Sequence, residues 1–279
     1  ANTWDDVVDN LRDTESYSKE LERTRYFEEE LAAYLSDKTT EIEKLNATFN
    51  FVKSKVDWDR KARLYCSDDL DEVYEKGEGN SADINIMLTA MLKHQGFDAN
   101  PIVSSTIANG IPYFPTVTGL NYVMVGVTLG QNFFILDATD KYSSPNLLPA
   151  RTLNWEGIEI FEEGNRKIDL SPKAKSKVNY SVMAKIDDMG MVSGQCRVYY
   201  FDQFALNARN AFTDSSEEEI LEEYQEDYEL GQVENFSQSN LEALSKPLVQ
   251  SFAFSETEGL VEKIGDKILA IFCSKNKGG

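Results

Sequence analysis

The chain has 279 residues, 41% of them hydrophobic and 27% charged, which is an ordinary globular composition with room for one large domain or two ordinary ones. Its 48 Asp and Glu against 28 Lys and Arg leave a formal charge of −20, a field that repels phosphate backbones and anionic lipid. Nucleic acid is therefore not an expected partner. Membrane insertion is not expected either, because no apolar run approaches the ~18 residues of a spanning helix.

The opening ANTWDDVV has neither Met nor a charged-then-apolar leader, and we expect it to begin a mature or truncated chain. WDDVVDNLRD reads as a short amphipathic helix, and a charged segment follows through Glu30 to Leu35. In TTEIEKLNATFNFVKSKV, Thr40 and Glu43 have capping-box spacing, and Ile42, Leu45, Phe49, Val52 and Val56 fall on one helical stripe. WDRKARLYC alternates enough to predict a strand, and DDLDEVYEKG a helical turn.

Residues 77 to 99, GEGNSADINIMLTAMLKHQGFDA, run from a glycine-rich turn into an apolar helix that ends at Gly96. Asn80 and Ser81 both suit a helix N-cap, and Asp83 adds a carboxylate to the first turn, where the helix dipole favours it. Ile84, Met87, Leu88, Met91 and Leu92 mark the buried stripe. Ser81 therefore has two readings, a nucleophile placed where a loop enters a helix or simply a helix-start residue. His94, the single histidine of the chain, lies thirteen residues on, nearly ~20 Å along the same helix, too far to serve Ser81 as a base.

From Asn100 the period changes. PIVSST, NYVMVGVTL and FFILDAT are rich in β-branched and aromatic residues, with GQN as the turn between the last two. LLPARTLNWEGIEI reads as irregular and extended. DLSPKAKSK, from Asp169 to Lys177, predicts a boundary, and so domains of residues 1–170 and 171–279. Beyond it we expect two strands in YSVMAKIDDMGMVSGQCRVYYF, then a helical pair, QFALNARNAF and SSEEEILEEYQEDYE, with a capping box at Ser216 and Glu219. VENFSQS, LVQSFAFS and the pair LVEKI/KILAIF, hinged at Gly265 and Asp266, return to β structure. The closing CSKNKGG reads as a frayed or artificial tail, and the second domain as truncated.

No cofactor motif is present. The acidic run from Glu217 to Glu229 lacks the D-x-D-x-D-G spacing of a calcium loop and reads as a solvated helix face. Cys66, Cys196 and Cys273 have no C-x-x-C spacing, so no metal is expected, and an odd count leaves at least one thiol unpaired.

The order of parts up to residue 139 resembles the transglutaminase-like domain of the papain-like fold class, in its bacterial, multidomain, exported version with flanking β-rich domains. The resemblance rests on the Gly-x-polar helix start, the apolar helix ending Gly96-Phe97-Asp98-Ala99, and the hairpin ending Leu136-Asp137-Ala138-Thr139. It covers residues 40–160 well and the remainder more loosely. It implies an α+β fold, a papain-like core with helical N-terminal additions followed by a β-rich domain with inserted helices. It also implies an exported or periplasmic location.

Active members of the family use Cys, His and Asp. Their G-x-C-x-D-x-A-like helix start corresponds to Gly79-Asn80-Ser81-Ala82-Asp83-Ile84-Asn85, which puts Ser81 at the nucleophile position. Their H-x-W-V-like strand corresponds to Asn121-Tyr122-Val123-Met124, which puts Asn121 at the base position. Their L-D-P-T-like motif corresponds to Leu136-Asp137-Ala138-Thr139 and supplies Asp137. An amide cannot act as a base near neutral pH, and general-base help is commonly worth ~10²–10⁴ in rate. We therefore expect Ser81, Asn121 and Asp137 to be degenerate triad positions that join helix, sheet and loop in a polar cluster.

The expected role is binding or scaffolding, toward a protein, peptide or glycan. The alternatives are an amidase, peptidase or transglutaminase with an unorthodox nucleophile (Ser81, or Cys66 displaced from the usual place), and a carbohydrate-binding module using exposed aromatics.

Overall fold

The computed structural model describes residues 3–172, 175–258, 261–264 and 267–270. The chain divides into two compact units, Ala1–Ala174 and Lys175–Gly279. The expected hinge at Gly265 and Asp266, together with Cys273 and the closing tail, lies outside the described residues.

The first unit opens with α1 (Trp4–Arg12), α2 (Glu15–Ser18), α3 (Glu28–Tyr34) and α4 (Glu41–Lys55). Thr40 and Glu43 cap α4 reciprocally, as their spacing predicts, and the backbone N–H groups of Thr40 and Thr39 hold the Glu43 carboxyl at about 2. Leu45, Phe49, Val52 and Val56 are buried, but Ile42 is 42% exposed because the first turn of α4 extends past the edge of the core.

The strand expected in WDRKARLYC shrinks to β1 (Asp57–Trp58), which pairs in parallel with β2 (Glu78–Gly79). Between them lie an irregular segment and α5 (Leu70–Lys76), closed by Gly77 in the left-handed conformation (φ 74°). The alternation is overridden because the backbone of residues 61–67 hydrogen-bonds to the start of the next helix instead of to a strand, as detailed below.

That helix, α6 (Ser81–His94), is the central element. Every residue from Ser81 to Leu92 is buried, not only the apolar stripe, as befits a helix covered on all sides. It ends in a Schellman motif: Phe97 N–H donates to Leu92 C=O at 3.1 Å and Gly96 N–H to Lys93 C=O at 2.9 Å, with Gly96 at φ 87°.

Five strands follow: β3 (Asp98–Ser104), β4 (Tyr122–Leu129), β5 (Asn132–Leu136), β6 (Glu156–Ile160) and β7 (Asn165–Asp169). They form one antiparallel sheet in the order β5-β4-β3-β6-β7. The stretch read as irregular thus contains a short helical turn (Ala150–Thr152) and a strand beside β3. β7 escapes notice in the sequence because NRKID is polar and only Ile168 of it is buried. Val123, Val125 and Val127 pack with α6, while Ile102, Tyr122 and Met124 build a second cluster with Leu148 and Leu170. The period of two along β4 separates these sets. The architecture is α+β.

The second unit contains β8 (Val178–Ile186), β9 (Val192–Tyr200), α7 (Asp202–Thr213), α8 (Glu217–Asp227), β10 (Gln232–Ser239) and β11 (Leu248–Thr257). The sheet order is β10-β11-β9-β8. Its core joins Val192, Cys196, Val198, Phe252 and Phe254 to Ile220 and Tyr224 of α8, with Tyr224 stacked on Phe252 at 4.5 Å between ring centres. Glu217, Glu218, Glu219, Glu222, Glu223 and Glu226 are exposed, so the acidic run is a solvated face. β12 (Val261–Ile264) and β13 (Lys267–Ala270) pair antiparallel.

Candidate functional site

The start of α6 is sealed by the loop that precedes it. Asn80 is the N-cap: its side-chain oxygen accepts from Ala82 N–H at 2.7 Å and Asp83 N–H at 3.0 Å. Asp83 completes the capping box by accepting from Asn80 N–H at 2.7 Å, and also accepts from the backbone N–H and hydroxyl of Ser67 at 2.7 and 2.8 Å. Burial nonetheless pushes the Asp83 carboxyl above its ordinary range. Gly79 is required because a Cβ there would come within 2.8 Å of both Asp83 Cβ and Val73 Cγ1.

Ser81 is the first helical residue and is fully buried. Its hydroxyl donates to Arg63 C=O at 2.9 Å and accepts from Arg63 N–H at 2.9 Å, while its own N–H reaches Lys61 C=O at 3.2 Å. The hydroxyl proton thus points at a carbonyl, which cannot take it up.

Asp137, at the end of β5, lies in a different group of side chains. Its Oδ1 accepts from Asn85 Nδ2 at 2.9 Å and from the N–H and hydroxyl of Thr139 at 3.0 and 2.8 Å. Its Oδ2 accepts from the Tyr122 phenol at 2.9 Å. With both hydroxyl protons directed at the carboxylate, the two oxygens accept from Arg151, Nε to Tyr122 at 3.3 Å and Nη2 to Thr139 at 2.6 Å. The Arg151 guanidinium lies 4.0 Å from the Trp58 ring centre. Asn85 completes the frame, donating to Val123 C=O at 2.8 Å and accepting from Ala138 N–H at 2.9 Å. One carboxylate therefore ties α6, β4, the end of β5 and the helical turn Ala150–Thr152 that precedes β6 into a single network.

Asn121 is not part of it. Its side chain accepts from Thr106 N–H at 2.9 Å and donates to Thr106 Oγ1 at 3.0 Å, anchoring the β3–β4 loop. No hydrogen bond links Ser81, Asn121 and Asp137 to one another, so the expected shared cluster gives way to three separate arrangements. From β4 it is Tyr122 that meets Asp137. A one-residue step in a strand reverses the face, which is why matching the sequence one position early names the wrong side chain. Burial pushes the Tyr122 phenol well above its ordinary range, so it stays protonated at neutral pH and cannot act as a base.

Sequence reasoning also missed Asn85, Thr139 and Arg151. Asn85 carried a signal, being an amide inside an otherwise apolar helix, and Arg151 another, as an isolated charge in LLPARTL. Both compete with bland readings until the partner is seen.

Cys66 is half-buried, and burial together with the nearby Asp83 carboxylate pushes its thiol up, which disfavours the thiolate a nucleophile needs. His94 closes the far end of α6, its ring edge-on to Phe27 at 5.6 Å and its Nδ1 4.0 Å from Glu28. Among the described residues, no group of three or more His, Cys, Asp or Glu is placed to hold a metal ion, and no helix is long and apolar enough to cross a membrane.

The helix start, the antiparallel sheet and the carboxylate at the end of β5 define a papain-like core. Residues 29–138 match the transglutaminase-like superfamily model, and this part of the chain is a transglutaminase-like superfamily domain. No curated protein matches the chain. A crystal structure of a "putative protease" from Parabacteroides distasonis is similar, at 9% identity and a TM-score of 0.45, over 92% of this chain and 53% of that one. This chain thus spans about half the length of that protein.

Proposed function

We propose that the transglutaminase-like domain of this chain has lost acyl transfer and serves a binding or scaffolding role in an exported bacterial protein. The observation that carries this is the pairing at the two reactive positions: a fully buried Ser81 hydroxyl held by the Arg63 main chain, and an Asp137 whose strand partner is the phenol of Tyr122. Acyl transfer needs a nucleophile within reach of a base that the third group orients. Here the base position carries a group that does not titrate near neutral pH, and the carboxylate already accepts four hydrogen bonds. Export is supported by the resemblance to multidomain exported proteins.

The test is incubation of the full chain with acylating probes, with a fluorescent amine plus glutamine-containing peptides, and with amide substrates. We expect no labelling of Ser81 or Cys66 and no turnover. Turnover that disappears in Ser81→Ala, in a variant that still folds, overturns the proposal in favour of an unorthodox amidase, peptidase or transglutaminase.

A further inference from the structure

The first unit contains a cavity of about 140 Å³, lined among others by Trp4, Tyr113, Leu120, Trp155, Glu156 and Lys167. A cavity of roughly 150 Å³ holds one benzene-sized ring. This one therefore accommodates a single six-membered ring. Three of its walls are aromatic, and Tyr113 and Trp155 meet at 6.4 Å between ring centres.

The surroundings are built to hold these side chains in place. Asn154 donates to the carbonyls of Ser105, Thr106 and Gly110 at 3.0, 3.2 and 3.0 Å, and Asn109 donates to Gly119 C=O at 3.1 Å. With Asn121, these amides pin the β3–β4 loop while leaving Tyr113 77% exposed. Trp155 has φ 54°, a left-handed backbone that bulky residues rarely adopt and that clusters at ligand clamps. A rigid loop that displays aromatics and a strained tryptophan beside a ring-sized cavity is pre-organised for a ligand.

We infer that this cavity is a binding site for one neutral sugar ring of a glycan. The polar atoms of its walls discriminate between ligand classes. Neither the Trp4 and Trp155 indole N–H groups nor the Tyr113 hydroxyl is hydrogen-bonded to another described residue, and none of them is a buried unsatisfied group, so water is their partner. An apolar peptide side chain that covered any of them would displace that water without supplying an acceptor. Sugar hydroxyls supply acceptors to them while the ring C–H faces lie on the aromatic surfaces. The two charges present, Glu156 and Lys167, pair at 2.8 Å and leave no net charge for an ionic ligand, and the strongly acidic chain repels anionic glycans. The site is separate from the Asp137 network, so the inference stands or falls independently of whether catalysis has been lost.

The experiment is a titration of the full chain with neutral oligosaccharides of glucose, galactose, mannose and xylose at up to millimolar concentration. Calorimetry and tryptophan fluorescence are the readouts, since Trp4 and Trp155 line the cavity. We expect at least one to bind, with affinity falling about tenfold or more in Tyr113→Ala and in Trp155→Ala, and retained in Trp155→Phe. Tyr113 is so exposed that its variant folds even if Trp155→Ala does not. No binding by any of the four series, binding unchanged in Tyr113→Ala, or capture of apolar peptides lost in that variant overturns the inference.

Discussion

Replacing Asn85 with alanine tests the central network most directly. The side chain is fully buried and makes three hydrogen bonds, to Val123 C=O, to Asp137 Oδ1 and from Ala138 N–H. Its removal strands one backbone donor, one backbone acceptor and one of the four bonds to a buried carboxylate. Each neutral bond is worth about 1 kcal/mol and one to a charged group about 1.5–3, so the loss should be about 4 kcal/mol. At a urea dependence of about 2 kcal/mol per molar, the unfolding midpoint should fall by about 2 M. The three tryptophans, Trp4, Trp58 and Trp155, all lie within the first unit, so their fluorescence in a urea titration reports that unit without interference from the second. Far-UV circular dichroism on the same samples separates local loosening from loss of the whole unit. A midpoint shift of less than about 0.5 M, or a loss under about 1 kcal/mol, refutes the reasoning that this amide joins α6 to the sheet.

Four further outcomes follow from the same geometry. Tyr122→Phe removes one of the four donors to Asp137 and should cost about 1.5–3 kcal/mol in the same titration, whereas a dispensable phenol would leave the midpoint unchanged. Ser81→Ala should destabilise by about 1–3 kcal/mol, because the Arg63 backbone groups lose their hydrogen-bond partner. The depressed Glu43 carboxyl contributes stability above its unfolded value near 4.5 that is lost as pH falls toward about 2. Thermal melts of Glu43→Ala should therefore lie below wild type at pH 7 and converge with it below pH 3, and a gap independent of pH contradicts the capping role. Cys66 should resist iodoacetamide at pH 8 in the native chain and react after unfolding; mass-spectrometric mapping that finds it modified as fast natively removes the argument from burial.

Local chemistry made much of this molecule legible in its sequence. The capping boxes at Thr40 and Ser216, the end of α6 at Gly96, and the β4–β5 hairpin are short-range features, decided by residues three or four apart, and they stand where their patterns put them. The motif order up to Asp137 likewise made the transglutaminase-like core recognisable. Segments whose backbone partners are remote in sequence were not legible. The alternation in WDRKARLYC suggests a strand, yet its backbone groups are taken by Asn80 and Ser81 at the start of α6 and by Ser16 and Tyr17 far upstream. β7 looks like a polar loop because its strand character comes from pairing with β6 rather than from its own side chains.

The site divides in the same way. Sequence alone determined that a serine opens α6, that no histidine stands on β4, and that Asp137 follows β5, because these are identities read directly off the chain. Tertiary structure decided which residue of β4 meets that carboxylate. Tyr122 opens β4 and reaches the carboxylate, whereas Asn121, one residue before the strand, turns to Thr106, and a one-residue ambiguity in register cannot be resolved without the partner strand. It also decided that Asn85 and Arg151, 66 positions apart, serve one network, since a buried hydrogen-bonded group takes its meaning from the atoms that chain folding brings within about 3 Å of it.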